Sequence, residues 1–159
     1  MRKERLPELI SEIRDELGSL QALVSDIKAV NSEIPDSEHL KNIYKESLTL
    51  KLHNFYTGCE RIFRRIADDI NSGVPKSLDW HKRLLKIMSL DIEGKRPAVI
   101  SKETESRLEE FLAFRHVVRN MYGFEIRYDR LRFLVEETQG TFEMVKEDME
   151  AFIGFLEAL

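Results

Sequence analysis

One segment of the chain, residues 114–125 with the sequence F-R-H-V-V-R-N-M-Y-G-F-E, carries side chains suited to chemistry on a phosphate. At roughly 100° per residue on a helix, Arg119 lies about 40° from Arg115, and the residue seven positions after Arg115 lies about 20° from it. Side chains four residues apart are also neighbours on a helix. The spacing predicts that five polar side chains share one broad sector: Arg115, His116, Arg119, Asn120 and Tyr122.

These residue types point to a phosphate ester as the substrate. Arginine presents a planar fork of donors that matches the oxygens of a phosphate. An imidazole next to it can carry a proton to or from a ribose hydroxyl. Preorganised cations stabilise the charge that develops in the transition state. The segment therefore contains what RNA cleavage without a metal requires. The alternative is a polar helix end whose arginines pair with Glu125, Asp129 or acids of the last helix.

Motifs for other kinds of site are missing from the sequence. It contains no G-x-S-x-G, Walker or G-x-G-x-x-G motif, and its histidines are scattered without metal-ligand spacing: His39, His53, His81 and His116. We therefore predict no metal site and no cofactor. The single cysteine, Cys59, lies on an apolar stripe and is interpreted as a buried structural thiol. Trp80 and His81 are interpreted as packing residues at the start of a short helix.

Composition indicates one globular domain over residues 1–159. Hydrophobic residues make up 42% of the chain and charged residues 34%, while Gly and Pro number only 7 and 4. This excludes collagen-like, disordered and loop-rich all-β classes. The charged N-terminus does not resemble a secretory signal, and no apolar run reaches the length of a membrane span. We expect a soluble cytoplasmic protein that has no contact with membranes.

Basic residues cluster locally, although the net charge of −4 provides no overall basic field. Between Arg115 and Arg132, five arginines outnumber two acids. Two other clusters lie earlier in the chain: Arg61, Arg64 and Arg65, and Lys82, Arg83 and Lys86. Two interpretations remain open. The clusters form ordinary surface ion pairs, or they converge on one groove that binds a polyanion.

Helical periodicity predicts the elements that position these residues. Apolar residues recurring at steps of three and four indicate helices over 6–27, 40–70, 80–89, 102–122, 129–137 and 142–156. Gly140 and Thr141 are predicted to separate the last two helices. We find no strand pattern and predict an all-α, up-and-down helical bundle with short accessory helices. The long apolar seam of the first helix and the basic segment further predict a homodimer.

The segment 114–125 resembles the signature region of HepT-like proteins in the HEPN superfamily. Three other segments resemble the same family in order and spacing: L-H-N-F-Y-T-G-C-E-R-I-F-R-R-I-A at 52–67, D-W-H-K-R-L-L at 79–85 and R-P-A-V-I-S at 96–101. The resemblance covers about residues 36–157. It implies a HEPN-like helical bundle that dimerises with its motif helices facing one another.

The resemblance also implies an activity and a partner. It suggests the toxin of a type II or VII toxin–antitoxin system, a metal-independent ribonuclease neutralised by a nucleotidyltransferase antitoxin of the MNT type. The family motif is an arginine, four to six residues and a histidine, often followed by x-tyrosine. Arg115 matches the arginine, and His116 occupies the polar position after it. Tyr122 matches the tyrosine that some partner transferases modify with AMP.

Asn120 stands where the family has its motif histidine, and an amide cannot act as a general acid or base at neutral pH. Either His116 or Arg119 takes over, or the amide only positions RNA, or nuclease activity is lost. Arg115, His116 and Asn120 are thus the candidate catalytic residues. Arg115 and Arg119 are the candidate RNA-binding residues, and Tyr122 is the candidate AMPylation site. Two alternative functions are a non-catalytic HEPN subunit that docks a nucleotidyltransferase and a purely structural helical adaptor.

Overall fold

Five α-helices make up most of the chain in a computed structural model, which describes residues 3–120 and 127–159. They are α1 (Leu6–Ser32), α2 (Glu38–Ile66), α3 (Trp80–Met88), α4 (Lys102–Arg119) and α5 (Tyr128–Glu157). A 3-10 turn precedes α1, and a π-helical turn over Ala67–Asn71 extends α2. Within the described residues, extended pairing is limited to an isolated bridge between Ile92 and Arg96. The predicted all-α helical bundle is confirmed. Of the two predicted short accessory helices, 80–89 corresponds to α3 and 129–137 is part of α5.

The core of the bundle forms where α1 packs against α2 and α5. The apolar residues of α1 that recur at steps of three and four are buried, as the pattern predicts. Gly58 of α2 lies against Leu20 of α1, and a Cβ atom at this position would be 2.5 Å from Leu20 Cδ2. The absence of a side chain at Gly58 therefore lets the two helices approach closely.

The C-terminal helix α5 is continuous, so the predicted separation at Gly140 and Thr141 is wrong. Glycine inside a helix costs only about 1 kcal/mol relative to alanine. Thr138, Thr141 and Phe142 are all buried, whereas Gly140 is exposed. Packing of the residues on either side of the glycine outweighs its low helical propensity.

Buried Arg96 holds the segment after α3 against the bundle. Its guanidinium donates to the carbonyl oxygens of Ile87, Leu90 and Pro97 and to Asn71 Oδ1, at 2.9–3.2 Å. The side chain is almost fully enclosed, and each of these acceptors offers an oxygen to a cation that water cannot reach. This network joins the end of α3 to the segment that follows it and to Asn71 in the π-helical turn after α2.

Helix α4, which contains residues 114–119 of the signature segment, has a side-chain cap at its N-terminus. Ser101 Oγ accepts from Thr104 N at 3.0 Å, as expected of a serine N-cap. The helix ends at Arg119, and Asn120 follows with φ −114° and ψ 12°. The predicted end at Tyr122 lies outside the described residues.

Candidate phosphate-binding site

Helices α2, α3 and α4 each contribute one side chain to a cluster that we call the carboxylate cluster: Glu60, His81 and Arg115. Glu60 Oε2 lies 2.7 Å from His81 Nδ1. Arg115 Nη1 donates to both oxygens of Glu60 at 3.3 Å and lies 3.1 Å from His81 Nδ1. A carboxylate, a guanidinium and an imidazole from three helices therefore meet within hydrogen-bonding distance.

The charged groups of this cluster are buried, so the free-energy cost of removing them from water must be offset by their pairing. The side chain of Glu60 is 5% exposed and that of Arg115 is 12% exposed. Removing a charge from water is strongly unfavourable unless a partner compensates it. Arg115 is the cation that compensates Glu60, so the two side chains hold each other in place.

The ring of His81 is fixed on a second side by its neighbour in the chain. The Trp80 and His81 rings are stacked with centroids 3.6 Å apart. The guanidinium of Arg64 lies 5.3 Å from the Trp80 ring centroid. The interpretation of Trp80 as a packing residue agrees with its contact with the core, but His81 also belongs to the carboxylate cluster.

A groove of about 820 Å³ lies between α3 and α4 and borders the cluster. His81 and His116 line it together with three cations: Lys82, Arg115 and Arg119. Three acids line it as well: Asp79, Glu109 and Glu110. Glu109 and Glu110 precede Arg115 by one to two helical turns, so the groove changes along α4 from an acidic half to a basic half.

The structure brings together three of the predicted site residues. Arg115, His116 and Arg119 all line the groove, with His116 and Arg119 exposed. Asn120 is exposed too, but its Nδ2 donates to the His116 carbonyl oxygen at 2.8 Å. Its amide thus closes the end of α4. The predicted modification site, Tyr122, lies outside the described residues.

Glu60 and the role of His81 were not predicted from the sequence. Glu60 lies four residues after Tyr56 and three before Phe63, and both of these residues are buried. A carboxylate on an otherwise apolar helix face requires a buried partner. The position of Glu60 could therefore have predicted a buried cation beside α2. His81 carried no comparable signal, because only the fold brings α3 next to Glu60.

Burial also shifts the pKa values of three residues of α2 that precede Glu60. Burial raises the pKa of the Tyr56 phenol, and Tyr56 Oη has no hydrogen-bond partner within the described residues. Burial likewise raises the pKa of the fully enclosed Cys59 thiol, in agreement with a structural cysteine. The pKa of His53 is lowered by burial and by the positive charges of Arg115 and Arg119.

The basic clusters divide between two surfaces. Arg61 and Arg65 pair with the acids of α1, with Arg61 Nη1 3.3 Å from Glu16 Oε1 and Arg65 Nε 3.7 Å from Glu12 Oε2. Lys82 of α3 instead joins the arginines of α4 at the groove. Convergence on one groove is therefore partial, and surface ion pairing accounts for Arg61 and Arg65.

Side chains suited to a metal ion do not come together in the part of the chain that the structure describes. No group of three or more His, Cys, Asp and Glu side chains in residues 3–120 and 127–159 is arranged to hold one. None of the helices described above combines the length and apolarity needed to cross a membrane.

Comparison with known proteins agrees with this architecture. A family model described as HepT-like protein matches residues 47–156, which is more than half of the chain. The chain belongs to the HepT-like family. The matched range contains Glu60, His81 and Arg115, and the match confirms the resemblance to HepT-like proteins of the HEPN superfamily. Neither curated proteins nor solved structures give a match to this HepT-like chain.

Proposed function

We propose that this HepT-like chain is the toxin of a toxin–antitoxin pair and cleaves RNA without a metal ion. The observation that carries the proposal is the groove in which Arg115, His116 and Arg119 of α4 lie beside Lys82 of α3. Cations bind the RNA backbone through its phosphates, and base identity contributes little to that part of the affinity. Membership of the HepT-like family supports the same function.

Exposed and buried residues of the groove have different roles in the proposed reaction. Arg119 and Lys82 are exposed and bind the phosphates on either side of the cut. Arg115 is held by Glu60 and stabilises the charge on the phosphoryl oxygens as the 2′-oxygen attacks. An imidazole moves the proton of the ribose hydroxyl. This chemistry needs no cofactor.

A homodimer in which two α4 helices face each other is part of the proposal. A single groove carries as many acids as Lys and Arg cations, and a second copy would add its exposed Arg119 and His116 to the basic half. Two copies would thereby form one composite cleft for RNA. Sedimentation at micromolar protein concentration should give a dimer, and a monomer would contradict the composite cleft.

The proposed antitoxin is a small nucleotidyltransferase of the MNT type that adds AMP to Tyr122. Tyr122 follows Arg119 by only three residues in the sequence, so an added phosphate would compete with RNA for the arginines. Intact-mass spectrometry after co-expression should show mass gains in AMP steps. These gains should be missing in Tyr122→Phe. An unmodified chain that its partner still neutralises fully would contradict modification.

One observation favours a second candidate, a non-catalytic subunit that docks a nucleotidyltransferase. The amide of Asn120, at the position of the motif histidine, is bonded to the backbone of its own helix. It can neither transfer a proton nor reach into the groove while it makes this bond.

Expression of the chain alone and together with the transferase distinguishes the two candidates. A toxin should arrest growth and fragment cellular RNA when expressed alone, and both effects should disappear with the partner. A docking subunit should leave growth and RNA intact and should co-purify with the transferase. Incubation of the purified chain with RNA and a chelator then tests directly whether cleavage is metal-independent.

A further inference from the structure

We infer that His81 of α3 is the proton carrier of this site and that Glu60 is its positioning residue. The inference rests on the proposed function, because it assigns a catalytic group to RNA cleavage. It places the imidazole outside the signature segment, on a different helix from Arg115.

The geometry around His81 is that of an imidazole prepared for proton transfer. Glu60 Oε2 lies 2.7 Å from Nδ1, and because a carboxylate can only accept, this contact requires the proton on Nδ1. Arg115 Nη1, which is also close to Nδ1, then donates to the oxygens of Glu60 and not to the ring. In the neutral ring the lone pair is then on Nε2, which makes no hydrogen bond within the described residues. Stacking on Trp80 fixes the plane of the ring. Catalytic imidazoles are commonly oriented by such a buried carboxylate.

His81 also lies where a bound phosphate would be. Its ring lines the groove, and its Nδ1 is 3.1 Å from Nη1 of Arg115. Arg115 makes its bonds to Glu60 through Nη1, and its Nη2 makes no hydrogen bond within the described residues, so this guanidinium retains donor capacity for a ligand. A phosphate bound by Arg115 and Arg119 would therefore border the imidazole.

His116, the other imidazole of the groove, has no buried carboxylate in the described part of the chain that orients its ring. His116 is exposed, and its described contact is the one that its backbone carbonyl accepts from Asn120. Among the described residues that line the groove, His81 is the imidazole with a buried carboxylate as its partner. A histidine from α3 thus supplies the acid–base group that Asn120 cannot supply.

The proposed step is an internal transesterification. Nε2 of His81 takes the proton from the ribose 2′-hydroxyl as the 2′-oxygen attacks the adjacent phosphorus. The bond from phosphorus to the 2′-oxygen forms while the bond to the 5′-oxygen breaks. The departing 5′-oxygen takes a proton from water, and His81 later returns its proton to solvent. The products are a 2′,3′-cyclic phosphate and a 5′-hydroxyl, with no change in oxidation state.

Substitution by asparagine separates the structural role of His81 from the catalytic one. The amide nitrogen of an asparagine occupies nearly the place of Nδ1, so His81→Asn keeps a donor for Glu60 and removes Nε2. We expect this variant to retain the Tm and RNA affinity of the wild type and to cleave RNA at least about 100-fold more slowly. His39→Asn, at an exposed position near the start of α2, is the matched control and should cleave normally.

Two further variants examine the assignment from other directions. In His81→Ala, added imidazole should restore part of the lost cleavage, whereas a purely structural role would give no such rescue. Glu60→Gln should lower kcat about tenfold with a smaller change in KM, because it removes the carboxylate that orients His81 but keeps an oxygen that can accept from Arg115. A change in KM alone would contradict positioning by Glu60.

The outcomes distinguish this inference from the proposed function. If the wild-type chain cleaves RNA and His81→Asn cleaves equally well, the inference is wrong and the ribonuclease function stands. If His116→Asn alone abolishes cleavage, the proton carrier is His116. If the wild-type chain leaves RNA intact, the ribonuclease function is wrong and the role of His81 is wrong with it.

Discussion

Helix α2 forms ion pairs on two of its faces, and the cations of the two pairs differ sharply in exposure. Glu60 pairs with Arg115 of α4, and both side chains are at most 12% exposed. The next residue, Arg61, is 59% exposed and pairs with Glu16 of α1, whose side chain is 12% exposed. Of two adjacent charges of opposite sign on α2, Glu60 is therefore buried and Arg61 is open to solvent.

This difference shows that the presence of an ion pair says little about its role. An exposed pair contributes about 0–1 kcal/mol, because water and salt screen it. In a buried pair, the attraction between the charges must first offset the free energy lost when both groups leave water. Replacing such a pair by an apolar contact therefore often leaves stability unchanged. In the proposed mechanism, the Glu60–Arg115 pair therefore serves to orient His81 rather than to add stability.

Breaking each pair should give very different losses of stability. Arg115→Ala leaves the Glu60 carboxylate buried without its cation, and we expect the free energy of unfolding to fall by about 3–5 kcal/mol. Arg61→Ala removes an exposed cation and leaves Glu16 with Arg65 Nη1 at 3.9 Å as a second partner, so it should cost no more than about 1 kcal/mol. Urea denaturation followed by circular dichroism measures both.

A double variant then identifies the cause of the larger loss. Arg115→Ala combined with Glu60→Ala removes the unpaired charge and should recover part of the lost stability, giving a coupling free energy of about 1–3 kcal/mol. Similar losses for Arg115→Ala and Arg61→Ala would show that burial does not separate the two faces.

The contact between α1 and α2 should depend more on packing than on its ion pairs. Gly58→Ala would place a Cβ atom 2.5 Å from Leu20 Cδ2, and Leu20 is buried. We expect the free energy of unfolding to fall by about 1–2 kcal/mol as Leu20 shifts. Gly154→Ala, which meets nothing within 4 Å in α5, is the matched control and should not destabilise. A neutral Gly58→Ala would show that this face is loosely packed.

Much of the fold could be predicted because helical periodicity records which face of each segment is buried. The stripes of α1 and α2, the Ser101 cap of α4 and the buried Cys59 all follow from local spacing and residue type. The error at Gly140 has the opposite origin. Local propensity favoured a break there, and contacts made by distant residues kept the helix intact.

The candidate site could be predicted only in part, for a related reason. Arg115, His116 and Arg119 lie on one helix, so their proximity follows from spacing alone. Glu60 and His81 lie on two other helices, and no spacing rule relates them to Arg115. Their meeting depends on how α3 docks, and both its buried residues Leu84, Leu85 and Met88 and the network around Arg96 contribute to that docking.

RNA binding should distinguish the cations of the groove from those on the α1 face. Arg119→Ala removes an exposed groove cation, and we expect weaker RNA binding, with the slope of log affinity against log salt reduced by about one unit. Arg61→Ala removes an equally charged residue from the α1 face and should leave the slope unchanged. Fluorescence anisotropy with a single-stranded RNA at several salt concentrations measures both. Equal effects would indicate non-specific attraction to any surface cation.

The smallest expected effect concerns His53, which lies two turns before Glu60 on α2. Burial and the charges of Arg115 and Arg119 lower its pKa in the folded chain below the ordinary value of 6.5. The unfolded chain therefore binds the proton more readily, so the contribution of His53 to stability decreases as the pH falls through 6.5 towards the folded pKa. His53→Gln should flatten this part of the dependence of unfolding free energy on pH.

Titration of His53 tests whether nearby positive charges lower its pKa, and it compares the groove face of α2 with the face that contacts α1. In nuclear magnetic resonance spectra, the His53 ring should titrate below 6.5, and Arg119→Ala should move its pKa upward by removing a nearby positive charge. Arg61→Ala, on the other face of the same helix, should leave the His53 titration where it is. A His53 ring that titrates at or above 6.5 would show that the positive charge of the groove does not reach α2.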